Sequence, residues 1–241
     1  QLILEEFLGD DKQKKDDVLY HFNLPKNLHM NLSVLLDTFS FRQFIATDLE
    51  GKVSLNDQTL TFNPLSFHSC DGEMSVKGIV DAKEEHKVKY RGLISLKNMD
   101  LKKSFFEMEN FGQSFLLDRH VSGKIKSKVF FKSESDKQLN MDLSQLLVDA
   151  DFDITEGSLV QFEPMMELQE FLKKEFNINI KLNNLQFKTL KNNISIKNQT
   201  VQIPEMKIAS NALNLKVSGA HAFDQKINYL FKIKNKDLFK A

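Results

Sequence analysis

His68 and Cys70 stand two residues apart in a stretch of alternating polarity. A strand through them sends both side chains to one face, where an imidazole and a thiolate could share a metal ion. Two ligands do not make a site, and no third or fourth partner is nearby in sequence, so the pair reads as ordinary strand residues. The other histidines, at 21, 29, 86, 120 and 221, have no zinc-type spacing. Asp149, Asp151 and Asp153 resemble the opening of a calcium-binding EF-hand loop, but Ile154 stands where the loop needs glycine and Val160 where it needs glutamate. These carboxylates therefore read as the solvated face of a strand whose other face is Ala150, Phe152 and Ile154. No metal centre and no cofactor are expected. Catalysis by a nucleophile would need a serine elbow or a base beside it, and phosphate chemistry a glycine-rich cradle; neither pattern occurs in a chain with only 9 glycines. The chain reads as a non-enzyme.

What the sequence does contain is strands. Apolar residues recur at a spacing of two with Lys, Asn and Ser between them, most clearly at Ile203, Met206, Ile208, Leu213, Leu215, Val217, Ile227, Tyr229, Phe231 and Ile233. Each such strand has one greasy and one wet face. The alternation predicts strands over 28–36, 38–49 with a turn near Asp37, 51–55, 59–67, 73–80, 87–97 and 121–132, one or two more over 139–154, and strand after strand from 182 onward. Asn56, Asp57 and Gln58 predict a hairpin turn, because Asn and Asp tolerate positive φ. Two interruptions have helical spacing. Leu101, Phe105, Met108 and Phe111 form one stripe, with Asp100 placed to cap it and Gly112 to stop it. Met165, Leu168, Leu172 and Phe176 form another behind Pro164. Both stripes read as packing on the protein's own sheet. Gly51-Lys52-Val53 and Gly123-Lys124-Ile125 echo one another, which is compatible with a two-part repeat that breaks near 112–120.

Composition narrows the partner. Lys plus Arg and Asp plus Glu are 33 each, and Arg occurs only at 42, 91 and 119, so neither net charge nor planar guanidinium forks favour a nucleic acid. The aromatics are 21 Phe against 3 Tyr and no Trp, which supply apolar area without a polar handle. Cys70 is the single cysteine, so no internal disulfide forms. No apolar run approaches the roughly 18 residues of a membrane span. The chain opens at Gln1 and is expected to be a section of something longer, with an anchor or export signal upstream. Residues 1–17 are expected to be a short apolar segment followed by a charged, solvated connector, and 18–241 a single elongated domain.

The phrases ITEGSLVQFEPMMELQEFLKKE at 154–175, LQFKTLKNNISIKNQTVQIPEMKIASNALNLKVSGAHAFDQKINYLFKI at 185–233 and, more loosely, LEGKVSLNDQTLTFNPLSF at 49–67 resemble the C-terminal region of AsmA-like proteins, in particular the long forms of Bacteroidetes-type bacteria. The resemblance implies a protein held in the inner membrane by an N-terminal helix, with its bulk in the periplasm. Its relatives are linked to outer-membrane biogenesis and to movement of phospholipid between membranes, through strands that curl into a greasy open groove. No catalytic residue comes with these motifs.

Together these readings predict a mainly β fold: an elongated, curved antiparallel sheet forming an open groove, with two short amphipathic helices. The greasy face needs an apolar partner, since each apolar Å² removed from water is worth about 25 cal/mol. Acyl chains of a phospholipid or similar ligand are the expected occupant, and envelope proteins are candidate partners. The groove is assigned to Leu60, Phe62, Val88, Tyr90, Ile94, Val129, Phe131, Leu185, Phe187, Leu215, Val217, Tyr229 and Phe231. The alternative is a structural or protein-interaction module whose closed core leaves no lipid site. A hydrolase on a β scaffold is a third reading, which a cleft gathering His, Ser and a carboxylate would revive.

Overall fold

The computed structural model describes residues 2–3, 21–224 and 226–234. The charged run at 9–17 and most of the N-terminal apolar patch lie outside the described residues. The strands are β1 (Leu2–Ile3), β2 (His29–Phe41), β3 (Phe44–Asn56), β4 (Thr59–Ser69), β5 (Gly72–Asp81), β6 (Val88–Asp100), β7 (Val121–Ser135), β8 (Leu147–Val160), β9 (Asn184–Lys197), β10 (Thr200–Ala209), β11 (Asn214–Ala222) and β12 (Ile227–Ile233). Helix α1 (Leu101–Glu107) follows β6, and α2 (Glu163–Phe176) follows β8. All strands form one sheet in chain order. β1 lies parallel to β2, and every later neighbour is antiparallel. The first and last strands do not pair, so the curved sheet is open and not a barrel.

Short hairpins produce this order. Asp57 and Gln58, Cys70 and Asp71, and Asn198 and Gln199 all have positive φ. A two-residue turn with both centres positive matches the twist of the strands it joins. The expected break at Asp37 is absent: β2 runs through it, turns at Arg42 and Gln43, and pairs residue for residue with β3 from Phe41↔Phe44 to His29↔Asn56. The segments predicted at 38–49 and 51–55 therefore redistribute into two long strands. Asp48 explains the misreading. Its φ of 53° lies where the β3–β4 register shifts, so apolar residues fall on even numbers before it and odd numbers after it. Gly51 and Gly123, the echoing positions, both have positive φ beside register shifts, which makes the echo a shared bulge. The sheet runs on across 112–120, since β6 and β7 pair along their length.

Both helices sit at the same end of the sheet. Asp100 ends β6 and caps α1, accepting from the Lys103 N–H at 2.9 Å. α1 stops earlier than its stripe predicts, because Glu109, Asn110 and Phe111 turn left-handed in a single 3-10 turn. Phe111 therefore leaves the stripe and stays exposed, edge-on to Phe105 at 5.1 Å. α2 starts with Pro164 in its first turn and ends at left-handed Asn177. Its Met165 and Leu172 pack on Leu182, Leu185, Leu215 and Val217 in the best-buried cluster. A second cluster, Ala46, Leu49, Phe67, Cys70, Met74 and Met99, lies under the α1 side, and Leu101, Val121 and Ile154 form a third.

Candidate functional site

Register places every predicted groove residue on one face of the sheet. One row crosses it through Val53, Phe62, Gly78, Gly92, Phe131, Val148, Ile196, Val201, His221 and Ile227. Neighbouring rows carry Leu60, Val80 and Tyr90, then Ile94, Val129 and Ala150. Leu185 stands opposite Leu159, and Phe187 opposite Gly157. Val217 stands opposite Phe231, and Tyr229 opposite Gly219. The glycines in these rows are where rings lie flat across the sheet: a Cβ on Gly92 would come within 2.6 Å of the Phe131 ring.

The structure divides these residues by what covers them. Val88, Leu185, Leu215 and Val217 are buried among the protein's own side chains, so they hold the fold and offer no free surface. Tyr229 and Phe231 pack against the α2 cluster, and burial pushes the Tyr229 phenol up. Ile94 and Phe187 flank the other two clusters. Leu60, Phe62, Tyr90, Val129 and Phe131 belong to no buried cluster and are half-buried. No second sheet lies over them among the described residues. Half-burial without a covering layer means that neighbouring side chains shield one another across a curled sheet.

Alternation predicts the seventh strand only as far as Lys132, but β7 continues to Ser135, its inner row goes on to Ser133 and Ser135, and Lys137 follows in the turn beyond it. The signal was the unbroken spacing of two from Val129, lost to view because the residues turn polar. All of Ser133, Ser135 and Lys137 are buried. Tyr90 and Ser135 share a hydrogen bond of 2.9 Å, and the Lys137 ammonium donates to the Ala82 carbonyl at 2.7 Å. The Ser133 hydroxyl has no partner among the described residues.

The wet face carries His68 and the Asp149, Asp151 and Asp153 row named above, but not Cys70. His68 lies there, mostly exposed, with Nδ1 3.4 Å from Asp48. Cys70 does not share its face, as a continuing strand would require: β4 ends at Ser69, and Cys70 turns left-handed into the core. Burial is the main cause that pushes its thiol up, away from the reactive thiolate. A depression of about 220 Å³ gathers His68, Asp48, Ser66 and Ser75. Neither serine makes a hydrogen bond to His68, whose imidazole lies beside Asp48 instead. A second depression, about 600 Å³, is lined by Lys97, Lys126, Lys128, Lys191, Asp151 and Asp153 among others. Part of its charge is paired: Lys191 with Asp153 at 2.7 Å and Lys97 with Glu73 at 3.1 Å, while the Asn193 amide bonds both Asp149 and Asp151. No group of three His, Cys, Asp or Glu placed to hold a metal occurs among the described residues.

Comparison with protein families, with curated proteins and with solved structures gives no match to this chain. No helix of the described residues is long and apolar enough to cross a membrane.

Proposed function

We propose that this chain is a non-enzymatic, lipid-binding and lipid-conducting segment of an AsmA-like protein, anchored in the inner membrane, lying in the periplasm and serving outer-membrane biogenesis. The observation that carries this reading is the greasy face from β4 to β7, where Leu60, Phe62, Val129 and Phe131 line a surface over which no second sheet lies among the described residues. An apolar strip of this kind on a folded chain marks a place where something apolar rests. Acyl chains suit it because the strip offers area and few polar handles, so tails lie lengthwise and gain affinity from contact. The AsmA-like resemblance of 154–175 and 185–233 supports the same reading and supplies the compartment.

The test is mass spectrometry of the hydrophobic molecules released from the gently purified chain, paired with displacement of a fluorescent fatty acid. The expected result is co-purifying phospholipid or fatty acid and saturable displacement. Recovery of no lipid together with no fatty-acid binding overturns the reading. It would favour the interaction module instead, for which β12 speaks: it is the last strand of the sheet, with Ile227 and Leu230 exposed.

A further inference from the structure

The end of the sheet away from the helices holds a charge that the other described residues do not balance. Lys137 is only 3% exposed, and its one hydrogen bond is to the Ala82 carbonyl. No carboxylate of the described residues lies within ion-pair distance of it. Asp136, its neighbour in sequence, is occupied by the N–H groups of Gln138 and Asn140 and the Asn140 amide. An ammonium carries three N–H donors, and burying it with one neutral acceptor and no counter-charge is unfavourable unless something anionic joins it. Beside it, Ser133 is 1% exposed with an unpartnered hydroxyl. Tyr90 stands directly across from Ser133 in the neighbouring strand.

The order of residues along β7 matters as much as the cluster. From the middle of the sheet outward the inner row of β7 reads Val129, Phe131, Ser133 and Ser135, and the turn that follows the strand buries Lys137, so the chain passes from apolar to hydroxyl to cation. An anionic amphiphile has the same order along its length: tail, polar linkage, negative head. We infer that Lys137, with Ser133, holds the carboxylate or phosphate head of such a molecule while its tail lies along Phe131 and Val129. This assignment rests on the lipid reading above and adds head-group selection to it. The segment at 21–25 crosses this end through the Phe22 N–H to the Lys137 carbonyl at 2.7 Å and the Gln58 N–H to the Pro25 carbonyl at 3.3 Å.

Calorimetric titration of the delipidated chain with laurate, dodecanol and acetate separates head from tail. The expected result is laurate bound at least about tenfold more tightly than dodecanol, the contribution of a charge-assisted contact. Lys137→Met removes that preference and leaves dodecanol affinity unchanged. Without ligand, the Lys137→Met variant melts no lower than the parent, because an apolar chain of similar length replaces a charge without a counter-ion. A lysine that served only to brace Ala82 would give a lower melting temperature and no change in preference, which overturns the assignment. Ser133→Ala, which keeps the volume, reduces the laurate preference by about threefold and provides a second reading should the methionine variant fail to fold. Equal binding of laurate and dodecanol overturns the head site while the lipid reading stands. Binding of neither defeats both, and acetate bound as tightly as laurate assigns the cluster to a free anion.

Discussion

Under α2 the inner face of the sheet is closed, and from β4 to β7 the same face is open. The residue types hardly differ: Leu185, Leu215 and Val217 on one side, Leu60, Phe62, Val129 and Phe131 on the other. What differs is the cover. Met165 and Leu172 of α2 bring the first group to near-zero exposure, whereas among the described residues the second group is shielded by its neighbours along and across the strands. One apolar pattern therefore has two settings, sealed where a helix lies on it and, in the proposed function, a resting surface where none of the described helices does.

The sharpest way to break this comparison is to cut the same kind of side chain from each region. Leu185 is 1% exposed within the α2 cluster, so Leu185→Ala leaves a cavity and is expected to cost about 2–5 kcal/mol in denaturant unfolding. Phe131 lies on the open face, half-buried by its neighbours and against Gly92, so Phe131→Ser is expected to cost about 1–2 kcal/mol, less than Leu185→Ala. Its larger effect belongs in lipid capture, read as loss of fatty-acid displacement under conditions where the variant remains folded. Should Phe131→Ser destabilise as strongly as Leu185→Ala, the two regions are one core and the open face is not a site.

This division marks the limit of what the sequence displays. Period-two alternation is a local property, so the identity of the greasy face was legible at every predicted groove residue from Leu60 to Phe231. Burial is not local. Leu215 and Val129 look alike in sequence, and only the return of α2 over β11 separates them. The strand boundaries failed where single residues invert the pattern: Asp48, Asn98 and Glu156 have positive φ within long strands, and a polar residue there reads as a turn or a break. Cys70 failed for a related reason, since a hairpin turn of two left-handed residues rotates it away from His68. Lys137 was missed because a buried lysine looks like a solvated one until its surroundings are known.

Helix α1 closes its end of the sheet with less area than α2 and leans more on its cap. Asp100→Ala removes the acceptor of the Lys103 N–H and is expected to cost about 1 kcal/mol, measured as a shift in denaturant midpoint. Asp100→Asn, which keeps an acceptor, is expected to recover most of it. An equal loss in both variants would mean that the Lys124 ammonium, 3.7 Å from the Asp100 carboxylate, is the partner that matters.

The smallest effect is expected on the wet face, and its pH dependence separates surface electrostatics from the greasy core. Glu205 accepts from Lys216 and, at 2.8 Å, from Lys232, and these bonds hold its carboxyl down to about 2. A carboxyl whose folded value lies below its usual one stabilises the fold above the unfolded value, near 4.5, and loses that contribution as pH falls toward 2. The pair is exposed and screened by salt, so the change is small. Glu205→Gln is expected to flatten the dependence of the denaturant midpoint on pH between about 5 and about 2 at low ionic strength, and to leave lipid capture untouched. A parent carboxyl that titrates near 4.5 by NMR would show that Lys216 and Lys232 stay in solvent. A change in lipid capture would show instead that the two faces of the sheet are coupled, and that the greasy face depends on charges standing behind it.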